Sequence, residues 1–171
     1  MIPKLIQDLR NNSLISPFLE QTCCENNIEV SVSSEVDSDS ICIIKVDKYY
    51  RALNLGNTPP SVDCLILQHC TLQNFYFHII ELKSVDKSPR LDINIVIEKF
   101  RTTITDFISV RFFEPIGKYD SVKLKLILVS KVGNTGSDTM LRKILRENSF
   151  SYKGLKSIID LKYSTYTIES C

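Results

Sequence analysis

The chain has 171 residues, enough for one domain (1–171) with a hydrophobic core of its own. Its 43% hydrophobic and 24% charged residues match an ordinary soluble globular protein, and no stretch approaches the roughly 18 uninterrupted apolar residues of a membrane span. Net charge is +1, but residues 1–85 carry six Lys/Arg against ten Asp/Glu (−4), and residues 86–171 carry fifteen against ten (+5), which fits an acidic region beside an anion-binding one.

Taken in chain order, residues 3–11 look helical, and Ser16-Pro17 offers an N-cap with proline at the first helical position. A second helix is therefore expected from Ser16 to about Asn26. Residues 28–32 (IEVSV) alternate as a half-buried strand. The polar stretch 33–40 reads as a turn, and 40–47 and 62–68 as buried strands separated by the loop 56–61 (GNTPPS). After a turn near Thr71–Asn74, residues 75–84 (FYFHIIELKS) form another strand. The period then changes. Ile93, Val96, Ile97, Phe100, Ile104, Phe107 and Ile108 mark one helix face, with Asp92 as a cap. Residues 122–129 return to strand, Asp138 is expected to cap a short helix through Arg146, and 155–163 is a final strand. The fold class is mixed α/β.

The N-terminal apolar run is too short for a secretory leader, so a cytoplasmic location is expected. The six cysteines include no Cys-x-x-Cys pair, and Cys42 and Cys64 sit inside apolar runs. They are expected to be reduced and to pack as small hydrophobes. Cys64, His69 and Cys70 lack a well-spaced fourth ligand, so no zinc site is expected.

Side chains two apart on a strand share a face. Glu81 and Lys83 therefore follow Phe75, Phe77 and Ile79 on one face, and a core face that ends in two charges needs an explanation. If 62–68 and 75–84 pair as an antiparallel hairpin, Asp63 lies opposite Glu81. Two carboxylates so placed can hold Mg²⁺ through oxygen and leave positions for water and phosphate. A bound metal activates water, while a neighbouring lysine orients it or neutralises developing charge. Lys83 is expected to orient and neutralise, because its ordinary pKa, near 10.4, is too high for a base.

Asp63 at a strand start, followed by a hydrophobic strand ending in Glu81-Leu82-Lys83, resembles the PD-(D/E)XK nuclease superfamily. The resemblance covers about Ser16 to Ser130. It implies a restriction endonuclease-like mixed sheet core flanked by helices, with Mg²⁺ as cofactor and Mn²⁺ as a possible substitute. It further implies that Asp63, Glu81 and the Leu82 carbonyl bind metal while Lys83 assists the attacking water. A helix-borne acid, Glu20 or secondly Glu25, would join the catalytic set. Val62 stands where the motif has proline, and the following helix has no Gln-x-x-x-Tyr, which argues against the branch resembling RecB nucleases. Double-stranded DNA is the implied substrate, with Lys87, Arg90, Lys99 and Arg101 as phosphate contacts and Lys123 and Lys125 as further ones. A type II restriction endonuclease acting as a homodimer is the favoured function. A Holliday-junction resolvase or repair-type nuclease is the alternative, as is a non-catalytic binding module that keeps the fold. Asp160-Leu161-Lys162 is a second acid-x-Lys pattern, expected to be a charge pair on an edge strand. His78 faces away from Glu81 by strand parity and is expected to pack or hydrogen-bond; His69 suggests no dyad.

Overall fold

Runs rich in isoleucine, leucine and valine form the middle of the molecule, because such side chains pack well on a pleated surface. The computed structural model describes residues 2–71, 74–85, 90–132 and 138–171. Its strands are β1 (Leu19–Glu20), β2 (Cys23–Glu25), β3 (Ile28–Val32), β4 (Ile41–Lys45), β5 (Cys64–Thr71), β6 (Asn74–Lys83), β7 (Val122–Ser130), β8 (Ser149–Tyr152), β9 (Leu155–Tyr163) and β10 (Tyr166–Ile168). The α-helices are α1 (Lys4–Asn11), α2 (Val46–Ala52), α3 (Ile93–Thr102) and α4 (Asp138–Glu147). A large mixed sheet has the order β1-β4-β5-β6-β7-β9-β8, and a smaller one the order β10-β3-β2. Strands β4, β5 and β6 run as an antiparallel meander; α3 then crosses over to β7, which is parallel to β6.

Strand parity sorts the core into two layers. Phe77, Ile79, Leu65, Leu67, Leu126 and Leu128 face the larger cluster, which α1, α3 and α4 cover with Leu5, Phe100 and Leu145. Ile66, Ile80, Leu82, Ile127 and Val129 face the other way, onto Cys23, Ile28, Val30 and Ile168 of the small sheet. The sheet is therefore buried on both sides over its centre, which explains why its strands read as near-continuous apolar runs.

The expected helix from Ser16 to Asn26 does not form. Only one 3₁₀ turn, Ser16–Phe18, uses the Ser-Pro start, and β1 and β2 follow. Asn26 and Asn27 have φ of 47° and 64° and join β2 to β3 as a two-residue hairpin loop. Asparagine tolerates this left-handed conformation, and the tight loop holds β2 against β3. Lys153 and Gly154, at φ 49° and 79°, do the same between β8 and β9. The strand read as 40–47 stops at Lys45, where α2 begins. Asp92 caps α3, its carboxylate accepting from the N–H groups of Asn94 and Ile95 at 3.1 and 3.2 Å. Beyond Thr102 the expected helix continues as π-helical turns, Thr103–Arg111 and Phe113–Gly117. A side chain at Gly117 would come within 2.6 Å of the Ile108 carbonyl oxygen, so this close approach requires glycine. α4 begins at Asp138 itself, and the cap expected of that side chain lies outside what is described.

The cysteines correct the expectation of reduced thiols. Cys23 bonds to Cys64, and Cys70 to Cys171. Partners 41 and 101 residues apart meet only when the small sheet lies on the large one, so local spacing could not reveal them. One bond joins β2 to the start of β5, and the other joins the segment after β10 to its end. Cys24 is an exposed thiol and Cys42 a buried one, whose pKa burial pushes up to about 11. No described helix is long and apolar enough to cross a membrane. Under non-reducing conditions, iodoacetamide should label Cys24 alone in the native protein, and Cys24 and Cys42 after unfolding, as read by mass. Four or more labels in the unfolded, unreduced chain would contradict the pairing. Removing the first bridge with Cys23→Ser/Cys64→Ser should lower stability by about 4 kcal/mol, from the loop it closes.

Candidate functional site

The meander ends in charge. The register Cys64↔Ile80 sets Asp63, the residue before β5, beside Glu81, near the end of β6. Asp63 Oδ2 accepts the Leu82 N–H at 2.6 Å, which fixes the carboxylate against the neighbouring strand. Backbone N–H and C=O of one strand residue point to the same side, so the Leu82 carbonyl also faces Asp63. Glu81 follows Phe77 and Ile79 on the helix-covered face and is fully buried. A carboxylate there must find cations or become neutral. Lys83 Nζ lies 2.7 Å and Lys99 Nζ 2.6 Å from the same oxygen, Oε1. Lys99 arrives on α3 because Val96, Ile97 and Phe100 bury the adjoining face of that helix. The second oxygen, Oε2, is buried without a hydrogen-bond partner.

A third acid adjoins the cluster. The pKa of Glu25, at the end of β2, is raised, first by side-chain hydrogen bonding with Asp63, then by partial burial and the Asp63 charge. Burial, then the charge of Glu81, also raises the pKa of Asp63. Burial tends to lower the pKa of Lys83, but contact with Glu81 and the charge of Asp63 outweigh it, so the ammonium is held above its usual range. Lys83 is thus a fixed cation and not a base.

The structure gathers Asp63, Glu81, Leu82 and Lys83, and it adds Lys99, which the sequence had suggested only as a phosphate contact. It separates Glu20 from them: that residue sits on the edge strand β1, and its carboxylate pairs with exposed Lys48 at 2.6 Å. The missing helix between 16 and 26 accounts for this correction. The reach of Glu25 comes from the Asn26-Asn27 turn and the Cys23–Cys64 bond two residues away. Arg101 is exposed and paired with Glu98, and Arg90 is exposed just ahead of α3. Lys87 lies outside the described residues. Asp160 and Lys162 form an exposed pair at 2.6 Å on β9, which is flanked by β7 and β8 and so is not an edge strand. His78 is buried on the opposite face, between Gln68 Oε1 at 2.9 Å and the Tyr166 hydroxyl at 3.0 Å. Burial, then the charge of Lys125, pushes its pKa down to about 3. His69 packs on Phe75.

Comparison with protein-family models, curated proteins and solved structures finds no match. What the site can do must therefore come from its own chemistry. Among the described residues, no set of three or more His, Cys, Asp or Glu side chains forms a ready metal cage. The donors nonetheless suit a hard cation. Asp63, the buried, unpartnered oxygen of Glu81 and the Leu82 carbonyl are all oxygen donors, and such ions commonly take a few protein oxygens and keep several waters.

The acids and the histidine give opposite pH dependences. For Glu25 and Asp63 the folded pKa lies above the unfolded one, so their stabilisation is complete below about pH 4 and is lost as pH rises through the folded values. For His78 the folded pKa lies below, so its stabilisation holds above about pH 6.5 and is lost as pH falls towards about 3. Asp63→Asn and Glu25→Gln remove carboxylates whose ionised forms are disfavoured in the fold. Each should raise the metal-free unfolding free energy more at pH 7 than at pH 4. Equal destabilisation at both pH values in urea titrations would show that the carboxyls are not held at raised pKa.

Proposed function

We propose that the chain is a Mg²⁺-dependent endonuclease of the PD-(D/E)XK type that hydrolyses phosphodiester bonds of double-stranded DNA, with Mn²⁺ as an alternative ion. The observation that carries this is a fully buried Glu81 with one oxygen on two lysines and the other without a partner, beside a buried Asp63. An unpartnered buried carboxylate oxygen is costly unless a cation fills the place. The β4-β5-β6 meander, the α3 crossover and parallel β7 support a restriction endonuclease-like core.

Asp63, Glu81 and the Leu82 carbonyl would hold the ion. Bound there, Mg²⁺ would supply an activated water and neutralise charge on the phosphate. Lys83, a fixed cation at the strand end, orients the nucleophile and stabilises the charge that grows on the phosphate oxygens. Lys99 holds Glu81 in its rotamer and adds a second positive charge on the substrate side of α3. Glu25, at the end of β2, adds a third carboxyl beside Asp63 at the rim of the site.

Cutting both strands of a duplex needs two such sites, and a homodimer of the type II restriction kind supplies them. A resolvase or repair-type nuclease would use the same residues on branched DNA. A second reading has an observation of its own: two lysines saturate Glu81 Oε1 and no three-acid cage is present among the described residues, which suits a non-catalytic binding module. A cytoplasmic setting, which action on intracellular DNA implies, would leave the two disulfides reduced there.

Plasmid cleavage in Mg²⁺ separates these readings. Wild-type protein should nick or linearise supercoiled DNA, Asp63→Ala and Glu81→Ala should lose at least about a hundredfold, and Lys83→Met and Lys99→Met roughly tenfold to a thousandfold. Glu20→Ala should cut as the wild type does. Absence of cleavage by the wild type on plasmid and on four-way junctions alike, in Mg²⁺ and Mn²⁺, would favour the binding module.

A further inference from the structure

The face of the large sheet that the small sheet leaves open carries a second set of groups, unrelated to the acids. Tyr76 lies on β6 five residues before Glu81, roughly 17 Å away along the strand and, by odd parity, on the other face. Its register partner on β7 is Lys123, and Lys125 is two residues further along the same strand face. Both ammonium groups lie over the Tyr76 ring, at 5.8 and 4.1 Å from its centre. Next to them a groove of about 440 Å³ runs between β7 and β9, with Lys125, Lys156, Lys162 and Tyr166 on its walls. A hollow of about 250 Å³, lined in part by Tyr76 and Lys123, lies at the neighbouring end of β6 and β7. Asp160 in this groove pairs with Lys162, and Asp120 in the hollow pairs with Lys153. Three further lysines, 123, 125 and 156, give the face an excess of positive charge. Beneath it the neutral chain Gln68–His78–Tyr166 fixes the Tyr166 ring, its hydroxyl donating to His78 Nδ1.

We propose that this face binds a single-stranded nucleic acid, with phosphates on Lys123, Lys125 and Lys156 and a base stacked on Tyr76. Charge selects the class of occupant, because a polyanion satisfies several lysines at once and releases its counterions. The ring selects within that class. A phosphate can draw the ammonium groups off the Tyr76 ring, whose face then takes a base, and stacking of this kind accepts any base. In a duplex the base faces are already stacked, so the ring would gain nothing from it. An acidic peptide or a sulfated polysaccharide would use the lysines and ignore the ring. The proposal does not depend on hydrolysis, since the groove and the acid cluster lie on opposite faces of the sheet.

The test is fluorescence anisotropy of a labelled 15-nucleotide oligodeoxythymidylate with the purified chain in EDTA, at 50 to 200 mM salt. Three phosphate contacts should give a log–log salt slope of about −2, and Lys123→Gln/Lys125→Gln should bring it to about −0.7. Tyr76→Ala should weaken binding about five- to a hundredfold at unchanged slope, and Tyr76→Phe should restore it. Both lysines are strand-surface residues whose replacement leaves the core intact, so the slope decides even if Tyr76→Ala fails to fold. No binding by the wild type, an unchanged slope in the double variant, or equal competition by a 15-base-pair duplex or a heparin fragment would overturn the proposal.

Discussion

A fully buried carboxylate governs this structure. Glu81 cannot be charged on the helix-covered face of an apolar sheet unless cations reach it, and the cost of leaving it alone is several kcal/mol. Lys83 meets it from the same strand and Lys99 from α3, so the charge ties the end of β6 to the crossover helix. Asp63 is held beside it by the Leu82 N–H, which sets the end of the meander in register. The apolar core explains the rest of the sheet but not this corner. Three acids and two lysines converge at a corner where the rest of the sheet places Leu and Ile.

The two faces of the sheet divide the work. The helices and the larger cluster lie on one side and carry the acid–lysine site at the end of β6. The small sheet lies on the other, bonded through Cys23 to the start of β5, with the segment after β10 bonded to its end, and it brings Glu25 round to Asp63. The buried Gln68–His78–Tyr166 chain stitches the same sheet by hydrogen bonds, its histidine neutral across the physiological range. Glu25 thus belongs to the site through the second layer, while Lys99 belongs to it through the first.

Much of this was legible from period and parity alone. The strands at 62–68, 75–84, 122–129 and 155–163 and the amphipathic helix from Asp92 stand where alternation and the 3.6-residue spacing put them. The pairing of Asp63 with Glu81 and Lys83 follows from one antiparallel hairpin. The segment 16–26 was misread because Ser16-Pro17 is a strong local helix start, whereas the determinants of β2 are the Asn26-Asn27 turn and cross-sheet contacts. The Asn-Asn pair before the alternating IEVSV was the available signal. Lys153-Gly154 is the same kind of local signal for the turn that joins β8 to β9. Lys99 looked like a surface lysine because nothing local shows that the helix turns it onto a residue 18 positions earlier. The disulfides, which join distant segments across two layers, left no local trace.

The proposed function requires Asp63 and Glu81 to form a divalent-cation site, in which the ion competes with the protons that the raised carboxyl pKa values favour. Calorimetric titration of Mn²⁺ into the wild-type chain at pH 6, repeated in buffers of different ionisation enthalpy, addresses it directly. One ion bound per chain with release of a fraction of a proton, and loss of binding in both Asp63→Asn and Glu81→Gln, is the expected result. Absence of binding by the wild type, or binding that both substitutions leave unchanged, would contradict the claim.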